Sequence, residues 1–168
     1  MTTAAGNDTS HNDLQIALLR HTLASVAYRG SKALRGAPAD FTNFKAGPKT
    51  RTPGEILAHL GDLFDWALSQ CEGKTAWHDS PATDWQAGSA RFFAALEKLD
   101  SYLASGKPSA VPATVTFQGA IADALGHIGQ INLLRGLAGS SMRPEDHSAA
   151  HLAVGRVGAE QVPPDREF

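Results

Sequence analysis

Residues 52–70, Thr-Pro-Gly-Glu-Ile-Leu-Ala-His-Leu-Gly-Asp-Leu-Phe-Asp-Trp-Ala-Leu-Ser-Gln, decide the fold. Thr52 can cap a helix, and Pro53 suits the first helical position because it has no N–H to leave unpaired there. Glu55, three residues after the cap, can reach back to the cap's backbone, which completes a capping box. After that start, Ile56, Leu60, Leu63, Phe64, Ala67 and Leu68 recur at steps of three and four, the period of a helix with one apolar face. Gly73 lies just past the last periodic residue and reads as a stop. The stretch therefore predicts a helix from Pro53 to about Gln70.

Working outward, residues 13–35 repeat the pattern with Ile16, Leu19, Leu23, Val26, Ala27 and Leu34, and a polar connection containing Gly36, Pro38, Gly47 and Pro48 follows. A third helix runs from a Thr83 or Asp84 cap to about Ala104, with Phe92, Phe93, Leu96, Leu99 and Leu103 as its apolar set and Gly106 and Pro108 beyond its end. A fourth opens near Thr116 and continues to about Leu137 through Ile121, Ala124, Leu125, Ile128, Ile131 and Leu134. Residues 111–117 alternate β-branched side chains, but Pro112 interrupts them and the run is too short to form a sheet alone. The expected fold is all-α: an antiparallel four-helix bundle over residues 13–139, after a flexible start at 1–12. Residues 140–168 read as a short helical turn and an extended tail that packs over one end of the bundle. The interhelical connections are longer than simple bundles need, and long ordered loops often roof a functional site.

A chain of 168 residues suits one core, so a single domain is expected. The 42% apolar content and net charge of -2 are ordinary, and build no field to gather nucleic acid or anionic lipid. Cys71 is the only cysteine, so an internal disulfide is impossible and the cytoplasm is the expected compartment. Residues 1–12 lack the basic and apolar regions of an export signal, and no apolar run approaches the ~20 residues of a membrane span.

The residues suited to chemistry lie on the second and fourth helices. Asp123 and His127 are four apart, about 40° around a helix axis, close enough to share an ion. His59 stands between Ile56 and Leu63, so its imidazole is expected toward the bundle interior. Burying a carboxylate and two imidazoles is costly, and one divalent ion would satisfy all three while keeping coordination positions open. The same spacing also suits an intrahelical hydrogen bond, and His59 alone would suit a satisfied core histidine. Asp62 shares the His59 face with Trp66 and offers a further ligand or a carboxylate to orient His59, although a charged helix surface explains it as well; Gln130 continues the His127 stripe, toward a metal-bound water or a simple polar interior contact. His21, His78, His147 and His151 read as surface residues, although the 147/151 spacing would suit a metal on a helix. Cys71 could serve as a thiol nucleophile, but nothing basic stands beside it in sequence, and it reads as a buried, inert thiol.

Two segments, Ile56-Leu57-Ala58-His59-Leu60 and His127-Ile128-Gly129-Gln130-Ile131, resemble the His-Leu and His-x-Gly-Gln-Ile segments of the DinB-like superfamily of four-helix bundles. That superfamily includes bacterial thiol-dependent transferases and mycothiol-dependent maleylpyruvate isomerases. The resemblance spans most of the chain, helix order included. It implies a metal site of three histidines, one on the second helix and two on the last, at the positions of His59, Asp123 and His127; the second is Asp here. An Asp keeps a ligand suited to zinc, nickel, iron or manganese but makes the site harder and more anionic. The resemblance also implies a small-molecule substrate and a low-molecular-weight thiol, with transfer of the thiol to an electrophile or a thiol-assisted isomerisation. The competing expectation is a non-catalytic bundle that binds a small apolar ligand or dimerises, with Trp66, Trp77, Trp85, Phe92 and Phe93 lining the pocket or surface. Pairing of two copies is compatible with either. Solvent access separates the two, because an enzyme needs an open position at the cleft floor.

Overall fold

Thr52 Oγ1 accepts from the Glu55 N–H at 3.2 Å, and Glu55 Oε2 accepts from the Thr52 N–H at 2.7 Å. The capping box thus satisfies two donors that no helical turn could serve, and it starts helix α2, Pro53–Cys71. Gly73 ends the turn that follows with φ of 76°, a conformation that costs glycine little. Helix α1 is Ala4–Leu34 and α3 is Trp85–Ala104, whose cap Asp84 accepts the Ala87 N–H at 2.9 Å. The last helix, α4, covers residues 113–137. It is α-helical over Ala113–Thr116, π-helical over Phe117–Ile121 and α-helical again over Ala122–Leu137. The computed structural model describes residues 4–38 and 40–168, with side chains from residue 12 onward. Among the described residues there is no strand, only an isolated bridge between Glu145 and Glu167.

Two helix starts differ from the sequence reading. Helical backbone begins at Ala4, not near residue 13, so the stretch expected to be flexible is helical from residue 4; residues 1–3 lie outside the described residues. Extending an existing helix costs far less than nucleating one, so polar residues with no apolar period can still continue α1. Helix α4 begins at Ala113, directly after Pro112, and its π turn leaves Thr116 and Ile121 both buried although they are five apart. One extra residue in that turn rotates everything after it by about 100° relative to an unbroken α-helix.

α1 packs against α3 and α4, and α2 packs against the same two helices, so α1 and α2 occupy opposite corners of the bundle. That diagonal step explains the long connection between them. The 3-10 turn Phe41–Asn43 anchors it, with Phe41 buried 5.1 Å from the Trp85 ring. The core is the apolar set read from the sequence: Leu23, Val26, Leu60, Phe64, Phe92, Leu96, Leu99, Ile121 and Ile131 are all below 2% exposed.

The C-terminal stretch is strapped along the flank of α1 instead of lying over one end. Lys32 pairs with Glu145 and, at 2.9 Å, with Glu167; Ser31 donates to the Ala159 carbonyl at 2.7 Å; Val157 enters the core. Arg135 of α4 donates to the carbonyls of Ala33, Arg35 and Gly36, tying the end of α1 to the start of the tail at Ser140. These bonds satisfy backbone groups that the helix end leaves open. No helix among the described residues is long and apolar enough to cross a membrane.

Candidate metal centre

Because α2 and α4 are neighbours, His59 faces the Asp123/His127 pair. His59 Nε2 lies 3.5 Å from Asp123 Oδ2, and His127 Nε2 lies 3.5 Å from Asp123 Oδ1. The two imidazoles stand nearly perpendicular, 85° apart, with centroids 4.7 Å apart, and the three ligand atoms lie within 4.8 Å of one another. Two ligand atoms bound to one zinc ion at tetrahedral angles stand about 3.4 Å apart, given bond lengths of 2.0 to 2.2 Å. The donors are thus spaced to surround a common point, with each Nε2 nearest a different oxygen of the one carboxylate. This donor set, two imidazoles and a carboxylate, is the chemistry that a divalent ion requires.

Burial is graded across the trio. His127 is 9% exposed, the His59 side chain 20% and the Asp123 side chain 50%, so the centre opens to solvent on the Asp123 side. Partial burial lowers the His59 pKa from its ordinary value, repulsion from His127 adds to this, and Asp123 opposes both. His59 therefore presents a neutral ring with a lone pair at neutral pH. His127 Nδ1 lies 2.9 Å from Gln130 Oε1. An amide oxygen can only accept, so Nδ1 carries the proton and Nε2 is left as the ligating nitrogen. Gln130, read as a partner for a metal-bound water or as a simple polar contact, thus meets His127 and fixes its tautomer.

Asp62 is placed differently from its sequence reading, which offered it as a further ligand or an orienter of His59. It is 2% exposed and its oxygens accept from the Ser80 N–H at 2.9 Å, the Ser80 hydroxyl at 2.7 Å and Arg91 Nη2 at 2.6 Å. Burial works against the charge, but these donors hold the Asp62 carboxyl below the usual carboxylate range. The same guanidinium reaches Asp65 at 2.9 Å and the Ala58 carbonyl at 2.9 Å. It lies so close over α2 that a Cβ on Gly61 would stand 2.5 Å from Arg91 Nη1.

The bonds to Ser80 hold the connection between α2 and α3, whose other end is tied by Ser69 Oγ accepting the Ala76 N–H at 2.8 Å. Between the two ties stands Trp77, 43% exposed, its ring 5.5 Å from His59 and 6.0 Å from Trp66. Thr75, two residues earlier, has φ of 51°, an uncommon conformation for a β-branched residue and a sign that the loop is held against local preference. Trp77 was read only as one of several aromatics able to line a pocket; Arg91 carried no signal at all, because its partners are 26 to 33 residues away.

The remaining histidines stay apart from the centre. His21 and His78 are exposed, His147 lies 2.8 Å from Glu145, and His151 lies 2.6 Å from Asp165, so the 147/151 pair has two separate partners. Cys71 is buried, with Thr116 Oγ1 3.9 Å from its sulfur. Comparison with protein-family models, with curated proteins and with solved structures finds no match.

Proposed function

We propose that the chain is a metal-dependent enzyme of the DinB-like type, in which His59 Nε2, His127 Nε2 and the Asp123 carboxylate hold one divalent ion. The observation that carries this reading is the arrangement of the trio: ring nitrogens 3.5 Å from two oxygens of one half-exposed carboxylate, too far for strong mutual hydrogen bonds and suited to a shared ion. When bound, such an ion acts as a Lewis acid and lowers the pKa of a thiol or water placed beside it. The chain's own residues then divide the remaining work. Gln130 keeps His127 in the ligating tautomer, Trp77 and Trp66 wall one side of the opening, and the Asp62–Ser80–Arg91 bonds hold Trp77 over His59. The resemblance of residues 56–60 and 127–131 to DinB-like segments favours a thiol as co-substrate, with transfer to an electrophile or thiol-assisted isomerisation.

The test is metal content and metal-induced thermal stabilisation of untagged protein, beside a His59→Ala, His127→Ala double variant. Near-stoichiometric metal that disappears in the variant supports the reading and justifies a screen of thiol transfer. A wild-type protein that takes up no zinc, nickel, manganese or iron and gains no stability from them defeats it, and leaves a metal-free binding or dimerisation bundle.

A further inference from the structure

Beside His59, the connection between α1 and α2 lines a cleft of about 410 Å³. That is at the small end of the range for small-molecule sites. Its lining carries charges of both signs: Lys45, Lys49 and Arg51 from the connection, Glu55 and Asp62 from α2, and Asp79 from the Trp77 loop. The two signs are used unequally. Asp62 is occupied by Ser80 and Arg91, Glu55 accepts from the Thr52 N–H in the capping box, and Asp79 accepts from Trp77 Nε1 at 3.0 Å. The three cations are exposed, and among the described residues none forms an ion pair within 4.0 Å, although Lys45 and Arg51 lie near enough to Glu55 to lower its pKa.

The backbone that carries the cations is also held in place. Thr50 closes a tight turn on Gly47, its N–H and hydroxyl both donating to the Gly47 carbonyl at 3.2 and 2.9 Å, while its Oγ1 accepts the Gly47 N–H at 3.1 Å. Lys49 sits inside that turn and Arg51 directly before the capped start of α2. Phe41, buried against Trp85 and Phe44, anchors the upstream end. A binding loop already ordered in the free protein loses less entropy on binding.

We infer that this cleft is an oxyanion subsite: Lys45, Lys49 and Arg51 bind the carboxylate or phosphate end of the small molecule whose other end reaches the His59/Asp123/His127 centre. The inference rests on reading that trio as the reactive centre, and it adds the substrate class. His59 lines the cleft and belongs to the trio, so the two adjoin at that residue.

The test is a nuclear magnetic resonance titration of the full chain with succinate and with inorganic phosphate, first with chelator present, then with succinate alone after zinc loading. The expected result is saturable movement of the amides of residues 45–51 and of His59, weakening as ionic strength rises. A Lys45→Gln, Lys49→Gln, Arg51→Gln variant should bind at least about tenfold more weakly, the loss expected when charge-assisted bonds go, with unchanged zinc affinity and thermal unfolding. Tighter succinate binding assigns the subsite to carboxylates, and tighter phosphate binding assigns it to phosphates. If neither anion moves these amides, or the triple variant binds as the wild type does, the subsite is overturned. Anion binding by a protein that takes no zinc keeps the subsite and removes the metal reading; zinc binding without anion binding does the reverse.

Discussion

Asp62 and Asp123 are both carboxylate neighbours of His59, one three residues along α2 and the other across from it on α4, and they are used in opposite ways. Asp62 is buried and takes three donors between 2.6 and 2.9 Å. Asp123 is half exposed, and the ring nitrogens facing it stop at 3.5 Å. A carboxylate that takes three short bonds from the protein holds structure and has little left for a ligand. One that is half exposed, with two ring nitrogens 3.5 Å from its oxygens and no short bond to either, is arranged to take an ion. The difference therefore separates the corner that supports the site from the centre that would do its chemistry.

The comparison breaks most sharply if the two aspartates are removed in turn. Asp123→Ala should lower zinc affinity by more than about 100-fold, beyond the 10- to 100-fold typical of an outer-sphere partner. Its metal-free melting temperature should stay within about 2 °C of wild type, as for a half-exposed residue with no short bond. Asp62→Ala should do the reverse, lowering stability by about 2–3 kcal/mol, or roughly 4–12 °C in melting temperature, because it strands a partly buried guanidinium and releases Ser80. Arg91 is one-third exposed and keeps Asp65 and the Ala58 carbonyl, which holds the loss below that of a fully buried pair. Calorimetry and zinc titration on the two variants decide this; equal effects on both readouts would dissolve the distinction.

A smaller effect sharpens the centre itself. Gln130→Leu should weaken zinc binding about tenfold, since His127 then loses the partner that fixes its tautomer, with little change in unfolding. An unchanged affinity would mean that Gln130 is only a surface contact.

The smallest effect is the pH response of the metal-free protein. The folded His59 pKa lies below its ordinary value, so as pH falls the unfolded chain takes up this proton first. The His59 contribution is complete above about pH 6.5, is lost as pH drops from there through the folded pKa, and then levels off. Urea unfolding of wild type and His59→Ala between about pH 7.5 and 5 should show a shallower acid loss in the variant; parallel curves would contradict the shift.

Much of the bundle was legible because it depends on local rules. Apolar residues at helical spacing marked each core face, and the Thr52–Glu55 box fixed the start of α2 to the residue. The trio His59, Asp123 and His127 was only half legible from spacing, since a four-residue step on α4 and a histidine on the apolar side of α2 suit hydrogen bonds equally well; the resemblance of residues 56–60 and 127–131 to DinB-like segments joined the three, and the fold brings them together. The π turn was not, because a five-residue step between Thr116 and Ile121 looks like noise in a pattern of threes and fours. Asp62 was misread because three residues from His59 on a helix is a neighbourly distance whichever way the carboxylate turns.

What the sequence determined by itself, then, was the set of helices, their buried faces and the residue types available for an ion, all consequences of periodicity and of chemistry within a few residues. Tertiary structure decided which helices became neighbours, that Arg91 and Ser80 would claim Asp62, that Trp77 would cover His59, and that the tail would lie along α1. The physical reason is one of range. Backbone hydrogen bonds and apolar stripes are settled within a turn or two of helix, whereas a charged side chain chooses among donors brought to it from across the chain, and that choice exists only once the bundle has closed.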